Sequence, residues 1–115
     1  MSDFIKSLSA AQSRLMRAGV IQNFEFCYEI SWKMFRRQLQ QDEGVEEVGV
    51  LSRKDLYRLA AQKGLLDDPE AWFIFHKARN ETSHTYNEHV ASEVYKIALD
   101  FLVVAQSLLK KLLVR

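Results

Sequence analysis

The sequence has 115 residues, a formal net charge of +1, 48% hydrophobic residues and a single cysteine. A chain of this length normally forms one domain around one core, so we expect a single domain over residues 1–115. Charged residues interrupt every apolar stretch, so none approaches the roughly 20 apolar residues that cross a bilayer. The first residues also lack the layout of a secretion signal. We therefore expect a cytoplasmic protein with no membrane contact.

Positive and negative charges balance in total but not along the chain. Residues 1–41 carry six Lys or Arg against three Asp or Glu, residues 42–70 carry four against eight, and residues 71–115 carry six against four. The acidic middle segment argues against a protein that coats nucleic acid with its whole surface, because such proteins carry a strong basic excess. Any contact with nucleic acid should be local.

The composition favours helix almost throughout. There are one Pro and four Gly, and no alternating strand pattern extends beyond a few residues. The longest helix is predicted from Ala10 to Gln41, with Gly19 marking a bend or its true start. Its apolar residues form one arc of about 160°. The members of this arc are Val20, Ile21, Phe24, Cys27, Tyr28, Trp32, Met34, Phe35 and Leu39.

Three side chains of this helix, Cys27, Phe26 and Ile30, carry separate predictions. Cys27 can form no internal disulfide, and its place in the arc predicts a small buried thiol and not a nucleophile. Phe26 and Ile30 lie on the flank of the arc, where a lone bundle would leave them exposed. They predict a dimer or partner contact, unless a crossing fourth helix covers them.

Local start and stop signals delimit the next helix. Residues 42–51 contain two glycines among four acidic residues, which is typical of a loop. Ser52 followed three residues later by Asp55 is a capping arrangement, and Gly64 supplies a stop. These signals predict a helix over 53–63.

The second half of the chain predicts two further helices. Asp68 and Pro69 start one that ends at about Ser83, because an aspartate can cap a helix and proline suits its first turn. Asn87 can cap a last helix from Glu88 to about Leu113. Its apolar residues have the spacing of a packing seam, and they are Val90, Val94, Ile97, Phe101, Ala105, Leu108 and Leu112. Together the elements predict an all-α, up-and-down four-helix bundle.

Chemically capable side chains crowd one helix end. Arg79, Asn80, His84 and Tyr86 fall within eight residues. An arginine offers a fork of donors to a phosphate, and a histidine titrates near neutral pH. Together they could cleave RNA, with the histidine removing the ribose 2′ proton and the arginine stabilising charge on the phosphoryl oxygens. The three histidines and the cysteine show no recognised ligand spacing, so we predict no metal and no cofactor.

Helix geometry constrains this constellation. Arg79 and His84 are five residues apart, which an unbroken helix separates by roughly 140°, whereas Asn80 and His84 share a face. Either the last turn loosens near His84, or a two-fold dimer brings two copies of the segment together. On spacing alone, Arg and His at a helix end more often pair with carboxylates or cap carbonyls, and Tyr86 is an ordinary interfacial tyrosine.

Two segments resemble the signatures of the nucleotidyltransferase substrate-binding protein family, part of the HEPN superfamily that includes HepT-type toxins. They are AGVIQNFEFCYEISWK over 18–33 and RNETSHTY over 79–86. The resemblance extends from about residue 15 to the end of the chain, and it implies a helical bundle that dimerises. Family members carry a fuller first helix than residues 1–9 provide, which makes burial against a partner chain more important here.

The resemblance also implies roles for the crowded helix end. In HEPN ribonucleases the matching motif is catalytic, which assigns Arg79, Asn80 and His84. In HepT-type toxins a partner antitoxin, a minimal nucleotidyltransferase of the MntA-like kind, transfers AMP to the tyrosine that matches Tyr86. The AMP adds bulk and a negative phosphodiester beside a site for RNA, so it would repel and block the substrate.

The residues and the resemblance leave three candidate functions. The first is a metal-independent endoribonuclease that acts as the toxin of a toxin–antitoxin pair. The second is a non-catalytic substrate-binding subunit of a two-component nucleotidyltransferase, and the third is a structural helical dimer. The intact set of Arg79, Asn80, His84 and Tyr86 favours the first, because a pure adaptor has no evident need for all four.

Overall fold

The structure is a computed structural model that describes residues 2–114. Within these residues every regular element is helical. The helices are α1 (Ser2–Glu43), α2 (Val45–Gly49), α3 (Arg53–Gln62), α4 (Pro69–Glu81), a 3₁₀ turn (Thr82–His84) and α5 (Glu88–Leu113). Helices α1, α3, α4 and α5 pack around one core, which confirms the predicted all-α bundle. None of the described helices is both long and apolar enough to cross a membrane.

Helix α1 is longer than predicted at both ends. It runs for 42 residues, passes through Gly19 without a break and absorbs the segment predicted as a separate or missing first helix; Met1 lies outside the described residues. The molecule is 63 Å long, which matches 42 residues at about 1.5 Å each. Residues 2–16 are exposed, and Arg17 pairs with Glu88 of α5 at 2.6 Å. Ser13 and Arg14 already line grooves shared with α5, so the part of α1 that projects beyond the bundle is about its first three turns.

The predicted caps hold the shorter helices. Ser52 Oγ accepts a hydrogen bond from the Asp55 N–H at 3.2 Å, and Asp68 Oδ1 accepts one from the Glu70 N–H at 3.0 Å. Gly64 ends the α3 region with a φ of 78°, a conformation that favours glycine. These local signals confirm the predicted boundaries of α3 and the start of α4.

The loop predicted over residues 42–51 is only partly correct, because residues 45–49 form α2. Val48 is buried and belongs to the core, so its side chain anchors this short helix. Gly44 has a φ of 107° and separates α2 from α1. The prediction of a loop rested on the glycines and acidic residues and did not take account of the buried valine.

An aromatic cluster around the fully buried Trp72 forms the centre of the core. Its neighbours come from every long element: Phe35 at 5.2 Å between ring centroids, Phe75 at 5.5 Å, Phe101 at 5.7 Å and Tyr57 at 6.0 Å. The pairs of Trp72 with Phe35, Phe75 and Phe101 are edge-to-face, an arrangement that adds to the stabilisation from buried apolar area. The predicted seam of α5 is confirmed, since all seven of its residues are buried or packed against this core.

The apolar arc of α1 is narrower than predicted. Cys27 is exposed, so the prediction of a buried thiol is wrong. Met34, at the same edge of the arc, is 45% exposed. No described helix packs over that edge, which leaves an exposed apolar strip along α1.

Candidate functional site

One of the two alternatives for the end of α4, a loosened last turn, is present. The α-helix gives way to the 3₁₀ turn Thr82–His84. The Thr82 hydroxyl donates to the Arg79 carbonyl at 2.7 Å, and the Ser83 hydroxyl donates to the Asn80 carbonyl at 3.2 Å. Side-chain hydroxyls thus add hydrogen bonds to carbonyls of the ending helix, and the Arg79 carbonyl also accepts one from the Thr82 backbone N–H.

Asn87 sets the other side of this corner. Its side-chain oxygen accepts hydrogen bonds from the His89 N–H at 2.9 Å and the Val90 N–H at 3.2 Å, as predicted for the cap of α5. The chain therefore turns between two fixed helix ends. We call residues 79–87 the α4–α5 corner.

His84 and Tyr86 lie together on the outside of the α4–α5 corner. Their ring centroids are 6.1 Å apart in an edge-to-face arrangement. Both side chains are exposed, Tyr86 by 87%, and so is Asn80. A hydroxyl exposed to this extent on a turn is accessible to a second macromolecule.

Arg79 has a different environment from the other three residues. Its Nε lies 3.4 Å from Glu29 Oε1, its Nη1 lies 3.9 Å from Glu25 Oε2, and Nη1 also donates to Thr82 Oγ1 at 3.1 Å. The Nε atom is buried, and its approach to Glu29 lacks hydrogen-bond geometry. Among the described residues no hydrogen bond joins Arg79 to His84. A single copy of the chain therefore places His84 beside Tyr86 but does not join Arg79 to them.

A groove of about 330 Å³ opens beside the corner, between α1 and the start of α5. Arg14, Arg17 and Gln22 line it from α1, Glu25 lies at its end nearest Arg79, and Thr85 belongs to the corner. Sequence reasoning missed these two arginines as site residues. The basic excess of residues 1–41 was the available signal.

Phe26 and Ile30 are 60% and 58% exposed. The crossing helix that was the alternative explanation is absent among residues 2–114. With Met34 they form one stripe along α1, because residues four apart lie on the same face. Their role as a dimer or partner contact stays a prediction.

Sequence reasoning missed a second polar cluster, which joins α1, α3 and α4. Tyr28 and Tyr57 share a short hydrogen bond, Arg53 Nη1 donates to their hydroxyls at 3.1 and 3.2 Å, and His76 Nδ1 lies 2.9 Å from the Tyr28 hydroxyl. Burial raises the pKa of both tyrosines, so both phenols are neutral. These residues come from three separate helices, so no local motif could reveal them.

Electrostatics keep His76 neutral as well. Burial, followed by the charge of Arg53, lowers the pKa of His76, although Glu29 opposes the shift. Arg53 Nη1 lies 3.3 Å from His76 Nδ1, which fits an unprotonated nitrogen that accepts from the guanidinium. Within residues 2–114, no group of three or more His, Cys, Asp or Glu side chains could hold a metal ion.

Comparison with known proteins identifies the family of this chain. A family model described as nucleotidyltransferase substrate binding protein like matches residues 2–114. The chain therefore belongs to the nucleotidyltransferase substrate-binding protein family.

Individual relatives agree with this assignment. A Haemophilus influenzae protein named probable ribonuclease HepT is 45% identical over 96 residues, which are 83% of this chain and 66% of that protein. The match therefore covers about two thirds of the relative's own length. A Haemophilus influenzae structure described as the fold of a substrate binding domain of a nucleotidyltransferase matches with a TM-score of 0.81 and 44% identity, over 90% of this chain and 77% of the other. A Thermus thermophilus structure matches with a TM-score of 0.74 and 31% identity, over 85% of this chain and 82% of the other.

Proposed function

We propose that the protein is a metal-independent endoribonuclease, the toxin of a toxin–antitoxin pair, and that the α4–α5 corner is its active site. The observation that carries the proposal is the contact between the exposed rings of His84 and Tyr86, one turn after Arg79. The 45% identity with a protein named probable ribonuclease HepT supports the same chemistry.

The proposed reaction uses groups that the corner presents to solvent. The His84 imidazole takes the proton from a ribose 2′-hydroxyl, and the 2′ oxygen attacks the adjacent phosphorus. The bond to the 5′ oxygen breaks, that oxygen takes up a proton, and a 2′,3′-cyclic phosphate remains on the other fragment. Asn80, exposed on the last turn of α4, donates a hydrogen bond to a phosphoryl oxygen.

Arg79 stabilises the charge that collects on the phosphoryl oxygens in this proposal. Its guanidinium is held by Glu25 and Glu29 and by the Thr82 hydroxyl, so its position is fixed before substrate binds. A fixed fork loses little rotamer entropy on binding a phosphate. In the nearby groove Arg14 supplies further positive charge along the path of an RNA strand, while Arg17 pairs with Glu88.

We propose that the active form is a homodimer. A single copy does not join Arg79 to His84, and a two-fold axis near the corner would bring two copies of both residues to one cleft. The exposed stripe of Phe26, Ile30 and Met34 on α1 offers apolar area for the contact.

Regulation in this proposal acts through Tyr86. A partner nucleotidyltransferase positions ATP, the Tyr86 oxygen attacks the α-phosphorus and loses its proton, and pyrophosphate leaves. The AMP then carries a negative phosphodiester next to the His84 ring, which repels RNA phosphate. The family assignment supports a nucleotidyltransferase as the partner.

Expression in bacteria tests the nuclease. The chain produced without a partner is expected to arrest growth, and His84→Ala is expected to relieve the arrest. His89→Ala is the matched control, because His89 is also exposed but lies in the first turn of α5. Equal growth of cells that produce the parent chain and the His84→Ala variant would contradict the proposal.

Intact mass spectrometry tests the modification. Incubation with the partner nucleotidyltransferase and ATP should add AMP to the parent chain and to Tyr95→Phe, but not to Tyr86→Phe. Tyr95 is the control because it is half-buried on α5. An unchanged mass gain in Tyr86→Phe would move the acceptor to another residue.

The second candidate function is a non-catalytic substrate-binding subunit of a two-component nucleotidyltransferase. The ion pairs of Arg79 favour this second function, because an arginine that already pairs with two carboxylates can have a purely structural role. Under this function His84→Ala leaves growth unchanged while binding to the nucleotidyltransferase persists. The growth experiment therefore separates the two candidates.

A further inference from the structure

Two arginines lie close to the same indole ring without a carboxylate partner. The Arg53 guanidinium carbon lies 3.5 Å from the ring centroid of Trp32, and that of Arg36 lies 4.6 Å from it. Among the described residues neither arginine forms an ion pair. Two positive charges beside one ring, with no carboxylate to offset them, favour a bound anion.

A groove of about 180 Å³ opens between these arginines, at the junction of α1, α2 and the start of α3. Its lining contains no acidic residue. The polar groups are the two guanidinium groups and the Gln40 amide, and the remaining residues are Trp32, Val48, Gly49, Leu51 and Leu56. The groove is therefore positively charged at one side and apolar at the other.

The buried cluster fixes Arg53 in this groove. One of its terminal nitrogens is bound by the neutral Tyr28 and Tyr57 hydroxyls, and its plane lies against Trp32. Because its hydrogen-bond partners are neutral, they orient the guanidinium without cancelling its charge. A positive group oriented in this way is prepared for a charge-assisted hydrogen bond to an oxyanion.

We infer that this groove binds the phosphate group of a nucleotide, held between the guanidinium groups of Arg36 and Arg53. Planar guanidinium forks match phosphate oxygens, and the Gln40 amide can donate a further hydrogen bond. The volume exceeds what a phosphate alone needs, and the apolar side formed by Leu51 and its neighbours suits an uncharged sugar or base.

The groove is a separate site from the α4–α5 corner, but Glu29 contacts residues of both. The Trp32 indole N–H donates to Glu29 Oε2 at 3.1 Å, and Oε1 of the same carboxylate faces Arg79. The phosphate can come from a mononucleotide or from a strand of RNA. The inference does not depend on the nuclease, since it rests on residues outside the proposed active site.

Nuclear magnetic resonance of the two tryptophan indole N–H groups tests the inference. Trp32 lines the groove whereas Trp72 is fully buried in the core, and Trp32→Phe assigns the two signals. Titration with AMP is expected to shift the Trp32 signal to saturation and to leave the Trp72 signal in place. Titration with inorganic phosphate and with a 2′-deoxy tetranucleotide compares the sources. Tighter binding of AMP indicates that the ligand is a mononucleotide, and tighter binding of the tetranucleotide indicates that it is a nucleic-acid strand.

Charge variants provide the control. Arg36→Gln is expected to weaken AMP binding about tenfold, the effect of losing one charge-assisted hydrogen bond. Arg37→Gln removes the same charge from the next residue, which is exposed and does not line the groove, and should leave binding unchanged. Arg53→Lys keeps the charge but loses the planar fork, so it should also weaken binding, with the Trp72 signal reporting that the core is intact.

Three results would overturn the inference. The first is a Trp32 signal that none of the three phosphate probes shifts. The second is a loss of affinity in Arg37→Gln as large as that in Arg36→Gln, which would indicate unspecific attraction. The third is inorganic phosphate binding as tightly as both AMP and the tetranucleotide, because a nucleotide site must gain affinity from the sugar or base.

Discussion

The Nε atom of Arg79 lies 3.4 Å from the Glu29 carboxylate, across the contact between α4 and α1. The same carboxylate accepts a hydrogen bond from the Trp32 indole and lies 3.9 Å from Lys33 Nζ. Glu29 thus stands between the corner that holds His84 and the groove that holds Arg36 and Arg53. Any anion that binds Arg79 must compete with this carboxylate.

Removal of that competitor should strengthen RNA binding. Glu29→Gln keeps the side-chain shape and an oxygen that can accept from Trp32, but it removes the negative charge beside Arg79. Partly exposed ion pairs contribute up to about 1 kcal/mol, so affinity for a single-stranded 2′-deoxy oligonucleotide should rise about two- to fivefold in fluorescence anisotropy. Glu70→Gln, at the far end of α4, controls for net charge. Unchanged or weaker binding in Glu29→Gln alone would show that Arg79 does not meet the phosphate.

Stability should depend on pH through His76. Its folded pKa lies below the ordinary value of about 6.5 because of burial and of Arg53. The unfolded chain therefore binds the proton more readily, and the free energy of unfolding should fall as the pH decreases below about 6.5. Urea denaturation at a series of pH values measures this. His76→Asn, which retains an acceptor for Arg53, should flatten the dependence, whereas His89→Asn should not; identical slopes in all three proteins would contradict the assignment.

The exposed stripe on α1 predicts a concentration-dependent dimer. Phe26→Ser and Ile30→Ser should each raise the dissociation constant about tenfold in sedimentation equilibrium, because large apolar side chains at the centre of a contact often contribute more than about 1 kcal/mol. Val50→Ser is the control, since Val50 is 85% exposed in the connection after α2. A chain that stays monomeric at every concentration would contradict the proposed dimer.

The cap at Asn87 should stabilise both α5 and the corner that precedes it. Asn87→Ala removes the acceptor for two N–H groups of the first turn and should lower the free energy of unfolding by about 1 kcal/mol. Gln106→Ala, on the exposed side of α5, should be neutral or slightly stabilising. Because Tyr86 directly precedes the cap, Asn87→Ala should also slow AMP transfer; normal stability and normal transfer would show that the cap does not hold the corner.

Local signals explain why much of the fold was predictable. The caps at Ser52, Asp68 and Asn87 act within three residues of the helix start, so they are visible in sequence. The five-residue spacing of Arg79 and His84 left a loosened last turn as one of two alternatives; the turn does loosen after Glu81, but it does not join the two side chains. The exposure of Phe26 and Ile30 followed from helix periodicity.

The missed features depend on contacts between distant segments. Glu25 and Glu29 meet Arg79 from a helix far away in the chain, and nothing near Arg79 in sequence indicates them. The cluster of Tyr28, Tyr57, Arg53 and His76 has the same cause. Cys27 was misplaced because periodicity gives the direction of a side chain but not whether another helix covers it.

RNA cleavage by the purified chain tests the nuclease most directly. A single-stranded RNA is compared with the same strand in which 2′-deoxynucleotides replace the cleaved positions. Fragments with 2′,3′-cyclic phosphate ends are expected from the RNA, with or without a metal chelator, and none from the substituted strand. His84→Ala should slow cleavage at least about 100-fold, the usual contribution of a general base, while His89→Ala retains the parent rate. Cleavage of the substituted strand, or full activity of His84→Ala, would contradict the account.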